Sequence, residues 1–486
     1  MKEKSNLQGE IIPFQYDRSK IKNGIIHIGV GNFHRAHQAF YTNDLLADTN
    51  QNAWGICGVM LLPGDEKLYH ALKKQDNIYT LTVCGGDDKD EVYSIGSITE
   101  LIWAIENPDA VIEKIADANT KIISLTITEG GYNIDKQSGK FMLDNENIEH
   151  DLKNPTHPKT VFGYIAEGLR ARRKAGNGGL TILSCDNLQH NGNTTERAVK
   201  SFVQAQDMEL ASWISENVTF PNSMVDRITP VTTPLDVERL NHQNGTADLV
   251  PVYCEDFIQW VIEDNFVAGR PDWEQVGVEF TDDVTAFENM KLSLLNASHT
   301  LLAYPAFLSG YRKVDVAMQD ENFVRLLQNF MDIDITPYVP APGSIDLSVY
   351  KKTLIERFAN KSVSDQLSRL CFDGISKFPV YIMPNLAKML RDGKDLTRVA
   401  FLIAAYRHYL KYKTDDNRIT YEVAEPWLTE NDKRLIASDE SIDFLSLSAF
   451  ESVDLSNSAT FKVLYRKYVS EILKNGIIPV LKSILV

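Results

Sequence analysis

The feature that most constrains this chain is a short apolar run, residues 24–28, that feeds Gly29-Val30-Gly31-Asn32-Phe33-His34 and then helical spacing over residues 33–47. The pattern recurs. Residues 53–62 form a second apolar run, ended by Pro63-Gly64, with helical spacing over 66–74 behind it. Residues 121–127 form a third, closed by Glu129-Gly130-Gly131, and a helix over 160–174 leads to a fourth at 181–184. Strand–helix alternation of this kind predicts a parallel sheet covered on both faces.

From about Glu288 onward the pattern changes. Apolar residues recur at helical spacing over Leu292/Leu295/His299 and over 323–331, 350–358, 399–412 and 461–474. The Pro-rich stretches 337–342 and 379–384 read as turns between helices. At 486 residues the chain is too long for one core. We therefore expect an α/β, Rossmann-type dinucleotide-binding domain over 1–287. A largely α-helical domain over 288–486 follows.

Charge and cysteine usage narrow the function. Lys plus Arg is 50 and Asp plus Glu is 66, a net charge of −16 that repels a phosphate backbone and argues against nucleic acid. The charged start Met1-Lys2-Glu3-Lys4 does not resemble a secretory signal, and no apolar run approaches the roughly 20 residues that span a bilayer. Five scattered cysteines suit a reducing compartment. The expectation is a cytoplasmic protein with no membrane partner.

Gly29 suits the tight turn, Gly31 a close backbone approach to a pyrophosphate, and Asn32, Phe33 and Arg35 open the helix whose N-terminus attracts the anion. His34 stands where the usual fingerprint has a third glycine, so the motif alone is weak. Asp65, after the second strand, can accept from the ribose hydroxyls of NAD and repel the extra phosphate of NADP. It can equally be an ordinary acid at the start of the following helix.

Ligands in such folds sit beyond the carboxyl ends of the strands, which places Glu129 and the loop Cys185-Asp186-Asn187 at the candidate site. Asp and Asn after a strand are also ordinary turn residues. On an ideal helix Lys291, Asn296 and His299 share an arc of about 140° in an otherwise apolar segment, which suggests a cavity. A desolvated Lys can act as a base, an Asn amide can donate to an alkoxide, and a neutral His can orient a hydroxyl.

Lys291-Leu-Ser-Leu-Leu-Asn296-Ala-Ser-His299 closely resembles the signature of the long-chain mannitol dehydrogenase family of polyol-specific dehydrogenases. So do Ile28–His37, Thr126–Tyr132, Ser184–Asn187, Met224–Pro230 and Ser376-Lys377-Phe-Pro379, spread over nearly the whole chain. The resemblance implies NAD-dependent, metal-independent oxidation of D-mannitol to D-fructose, with substrate and catalysis in the 288–486 domain and the active site in the cleft between the two domains; members of the family are often monomeric. It implies Lys291 as general base, Asn187 and Asn296 as oxyanion hole, His299 on a substrate hydroxyl and Glu288 as proton relay. Glu129 would line the site, and Asp226, Arg369 and Lys377 would hold the distal hydroxyls. Ala297, where the family often has Gly, departs from the pattern without touching a chemical role.

Within the family the signals divide. Glu129-Gly-Gly-Tyr132, His190 and Ser376–Pro379 resemble the mannitol 2-dehydrogenase branch; Leu61–Asp65 resembles the branch that reduces fructuronate or tagaturonate, whose carboxylate Arg369 or Lys377 could bind. Zinc alcohol dehydrogenases need a ligand cluster that these cysteines do not supply. Tyr-x-x-x-Lys at Tyr69–Lys73 and Tyr409–Lys413 follows no suitable strand, and a non-catalytic nucleotide sensor would have no use for the base and amides.

Overall fold

The computed structural model describes residues 10–85, 89–135, 138–343, 345–363 and 365–485. The chain divides into two compact units, Met1–Val284 and Thr285–Val486.

In the first unit β1 (Ile25–Ile28), β2 (Ile56–Met60), β3 (Ile98–Trp103), β4 (Ile122–Leu125), β5 (Leu180–Ser184) and β6 (Val218–Thr219) form a six-stranded sheet. Its order is β3-β2-β1-β4-β5-β6, and every ladder is parallel. That is the doubly wound dinucleotide-binding order, with its switch point between β1 and β4. Side chains alternate between two covered faces, which is why the strands read as continuous apolar runs. Ile25, Ile56 and Ile122 pack against α1 (Asn32–Ala36) and α2 (Gln38–Leu45). α3 (Glu66–Lys74) adds Leu72 to this side. Ile26, Ile28, Ile123 and Leu125 pack against α4 (Pro108–Ala116), α5 (Val161–Ala175) and α6 (Asn191–Gln206).

Two smaller sheets that the alternation pattern did not reveal complete the unit. One places Gln259–Glu263 between Ser223–Asp226 and Glu279–Thr281; the other joins Ile11–Ile12, Glu91–Ile95, Tyr79–Cys84 and Val252–Glu255.

The second unit is helical, as expected, and holds no strand among the described residues. α7 (Thr285–Met290) runs into a π-helical turn, Lys291–Asn296, and then α8 (Ala297–Leu308). α9 (Leu347–Phe358), α10 (Leu367–Cys371), α11 (Gly374–Tyr381), α12 (Thr397–Tyr412) and α13 (Ala459–Asn475) follow. All twelve residues of α8 are buried, because α10, α11 and α12 surround it. An all-round apolar helix is what such a central position requires.

Several expected elements differ in detail. The helix expected over 33–47 breaks at His37, whose ring packs on Phe33, Tyr41 and Trp260 while its Nε2 meets the Gln259 carbonyl at 3.0 Å. The turn between helices expected over 379–384 shrinks to one residue, Ile382: Pro379 lies inside α11, and Pro384 stands in the first turn of the next helix, Met383–Arg391. No helix among the described residues is long and apolar enough to cross a membrane.

Candidate active site

The glycine turn after β1 is fixed by its neighbours. Gly29 has φ +102, and a Cβ there would lie 2.1 Å from the Thr126 carbonyl oxygen, so only glycine fits. Its own carbonyl accepts the Thr126 hydroxyl at 2.7 Å. Gly31 is different. Its backbone is extended, and a Cβ would meet only the Gly29 carbonyl, at 3.9 Å. The protein's own packing does not demand glycine there, so the open face in front of α1 fits the close approach of a dinucleotide pyrophosphate.

His34 explains the imperfect fingerprint. The third glycine normally permits close helix–strand packing; here the His34 ring lies flat on His27 of β1 instead. Burial pushes His27 down to about 3 and His34 well below the usual histidine range, so two neutral rings stack without repulsion.

The other expected cofactor residues are partly committed to the scaffold. Asn32 donates to the Pro230 carbonyl and the Thr232 hydroxyl, both at 3.1 Å, and accepts from Arg35 at 2.7 Å. Buried Arg35 also donates to the Val250 carbonyl at 2.6 Å and lies over the Tyr79 ring. Both line a cavity of about 520 Å³ with Leu68, Thr232 and Glu238. Phe33 stacks on His37. Asp65 lies beyond the end of β2, half-buried, and one carboxylate oxygen accepts the Leu62 amide at 2.9 Å.

Beyond β4 and β5, two loops are joined by Asp186, a residue the sequence reading passed over as part of a turn. Its carboxylate accepts the amides of Ile127 and Thr128, both at 3.0 Å, and the Tyr132 hydroxyl at 2.7 Å. It thereby links the loop that presents exposed Glu129 to the loop that carries half-buried Asn187. Asn191, fully buried, stitches the second loop from below. Its side chain donates to the carbonyls of Ser184, Asp186 and Ser223 and accepts the Ser223 amide at 2.9 Å. Ser223 begins the strand that ends in buried Asp226.

The second unit gathers the other set. Glu288, Lys291 and His299 are all buried, Lys291 to 5% exposure, along α7, the π turn and α8. The π turn corrects the ideal-helix geometry expected from spacing, because its bonds skip five residues, as from the Ala297 amide to the Leu292 carbonyl. Such insertions in a helix frequently mark functional sites. Asn296 Oδ1 is buried with no hydrogen-bond partner among the described residues. His299 stacks on Phe358, ring centroids 4.1 Å apart.

α10 packs on α8 and brings Arg369 into the same neighbourhood. Arg369 makes a two-pronged ion pair with Asp365, its Nε at 2.8 Å. Burial works to raise the Asp365 carboxyl, but Arg369 and His299 together hold it below the usual range. Lys377 donates to the Leu370 carbonyl at 3.0 Å, so it sits at the C-terminal end of α10. His299 and Arg369 thus share one neighbourhood of the second unit, coupled by Asp365. Among the described residues no group of three or more His, Cys, Asp or Glu side chains could hold a metal ion.

Family models decide what this arrangement belongs to. Residues 23–275 match the mannitol dehydrogenase Rossmann domain, and residues 283–472 match the mannitol dehydrogenase C-terminal domain. The chain belongs to the mannitol dehydrogenase family. It is an oxidoreductase of the polyol dehydrogenase type. It is similar to Pseudomonas fluorescens mannitol 2-dehydrogenase, solved as a ternary complex with NAD and D-mannitol. The TM-score is 0.93 at 43% identity, covering 98% of this chain and 97% of that one. It is 42% identical to the polyol:NADP oxidoreductase of Gluconobacter oxydans over 94% of each chain. It is 40% identical to the D-mannonate oxidoreductase of Escherichia coli over 92% of each.

Proposed function

We propose that this protein reversibly oxidises D-mannitol to D-fructose with NAD, by a mechanism that needs no metal. The observation that carries the reading is the buried row Glu288, Lys291 and His299 in an otherwise apolar helical segment. Charged side chains are seldom buried to this degree, so such a row marks a polar site inside apolar packing. The fold of the first unit and the open approach at Gly31 support a dinucleotide as the second reactant.

In this reading Lys291, as the free amine, takes the hydroxyl proton from the reacting carbon. Bound NAD supplies the acceptor for the hydride that leaves the same carbon. The side-chain amides of Asn187 and Asn296 donate to the oxygen as it gains negative charge, stabilisation that is strongest in a water-excluded site. His299 orients a neighbouring hydroxyl. Glu288 passes the proton from Lys291 toward solvent, and Glu129, Asp226, Arg369 and Lys377 bind the rest of the polyol. Asp65 favours NAD over NADP by repelling a 2′-phosphate.

A second reading, reduction of a hexuronate, is favoured by the likeness to the E. coli D-mannonate oxidoreductase and by Arg369 and Lys377 as carboxylate ligands. Steady-state rates with D-mannitol and NAD, set beside D-fructuronate and NADH, separate the two. The proposal expects the higher kcat/KM on mannitol; turnover of the uronate alone would replace it with the second reading.

A further inference from the structure

We propose that Asp186 is a positioning residue for the reaction, clamping the backbone at Thr128 so that Glu129 and Asn187 are held as one unit. This rests on the polyol-oxidation reading, in which those two side chains face the substrate. Thr128 has φ +66 and ψ 163, a combination that belongs essentially to glycine. A Thr keeps such a conformation only when its surroundings over-determine it.

Asp186 does so. Its two carboxylate oxygens take the two consecutive amides that lead into the strained position, those of Ile127 and Thr128, each at 3.0 Å. Its third partner, the Tyr132 hydroxyl at 2.7 Å, fixes the far end of the same loop. Tyr132 is in turn held by the Ser184 hydroxyl at 2.6 Å, at the end of β5. The contacts span more than fifty residues of sequence, so they are not those of a local turn or a helix cap. The clamp itself sits in the residue next to Asn187, whose loop Asn191 secures from beneath. A shift in the Asp186 carboxylate therefore moves Glu129 and Asn187 relative to each other.

The geometry also suits the ionised form. An acceptor-only carboxylate satisfies three donors, whereas an amide brings an N–H against one of them. Burial, with Glu129 nearby, raises the carboxyl to about 7 against the opposing pull of Tyr132 and the two backbone amides.

Three proteins test the clamp: Asp186→Asn, Thr128→Gly and the double variant, each assayed on both D-mannitol and D-fructuronate. Asp186→Asn is expected to lower kcat roughly 10- to 100-fold, the scale of a small misplacement of reacting groups, with the KM for NAD within about twofold. Glycine adopts the positive φ unaided, so Thr128→Gly added to Asp186→Asn is expected to recover about fivefold or more of the lost kcat. A wild-type kcat in Asp186→Asn, or a double variant no faster than the single, would overturn the clamp. Should Asp186→Asn fail to fold, Tyr132→Phe removes one contact only. It is expected to lower kcat about threefold or more, and an unchanged kcat would overturn the proposal. A wild-type protein active on the uronate alone overturns the mannitol reading and leaves the clamp to be judged on that substrate; inactivity on both overturns both.

Discussion

The imidazole of His34 lies flat on that of His27, ring centroids 3.4 Å apart and 8° from parallel. The stack fills the space between β1 and α1 that a glycine at position 34 would leave to close backbone contact. His27 also spans the Ser124 and Thr126 hydroxyls, both at 2.9 Å, and Thr126 holds the Gly29 carbonyl. Packing of the helix and shape of the glycine turn are therefore one structure.

His34→Ala removes a fully buried ring. It is expected to cost about 3 kcal/mol of stability, the scale of a core cavity, and to weaken NADH binding by loosening the turn. Urea unfolding and a fluorescence titration with NADH measure both. Unchanged stability would show that the stack bears no packing role.

Asp365 holds Arg369 through two nitrogens and also faces His299. Asp365→Asn is expected to raise the KM for the polyol about tenfold, the loss of one charged hydrogen bond, with kcat lowered less. Steady-state kinetics give the split. A pure loss of kcat would place Asp365 in the chemistry rather than in substrate positioning.

Asp65→Ser removes the carboxylate that opposes a 2′-phosphate. The ratio of kcat/KM for NADP to that for NAD is expected to rise about tenfold or more. An unchanged ratio would assign Asp65 solely to the turn it caps at Leu62.

Glu425 receives the amides of Gly374 and Ile375, at the start of the helix that carries Lys377, together with the Tyr406 hydroxyl. Burial pushes its carboxyl up to about 7. The folded protein thus keeps a proton that the unfolded chain releases near pH 4.3. The stability this contributes is complete below that pH and is lost as the pH rises through about 7. Glu425→Gln is expected to remove this slope, so the melting-temperature difference between wild type and variant changes between pH 4.5 and 7.5. A difference constant over that range would contradict it.

Much of the first unit was legible because β1, β2, β4 and β5 are buried on both faces and so stand out as apolar runs between helical segments. β3 and the two small sheets were not, since their strands are short, half-exposed or paired with distant segments. Lys291, Asn296 and His299 were legible as polar interruptions of an apolar helix. The π turn was not, because spacing assumes one angular step per residue. Asp186 was hidden for a different reason. Its partners lie across two loops, and an Asp after a strand has an ordinary local use. Asp365 left a readable trace, four residues before Arg369, at the separation where an acid and a base meet on a helix.

The most direct measurement is NADH formation from D-mannitol and NAD, with a chelator present, by the wild type and by Lys291→Ala. Rapid wild-type turnover that the chelator leaves unchanged is expected. Lys291→Ala is expected to lose at least about a thousandfold in kcat, the contribution of a positioned base, while binding NADH nearly as before. Turnover by Lys291→Ala within a few fold of wild type, or wild-type activity abolished by the chelator, would contradict this mechanism.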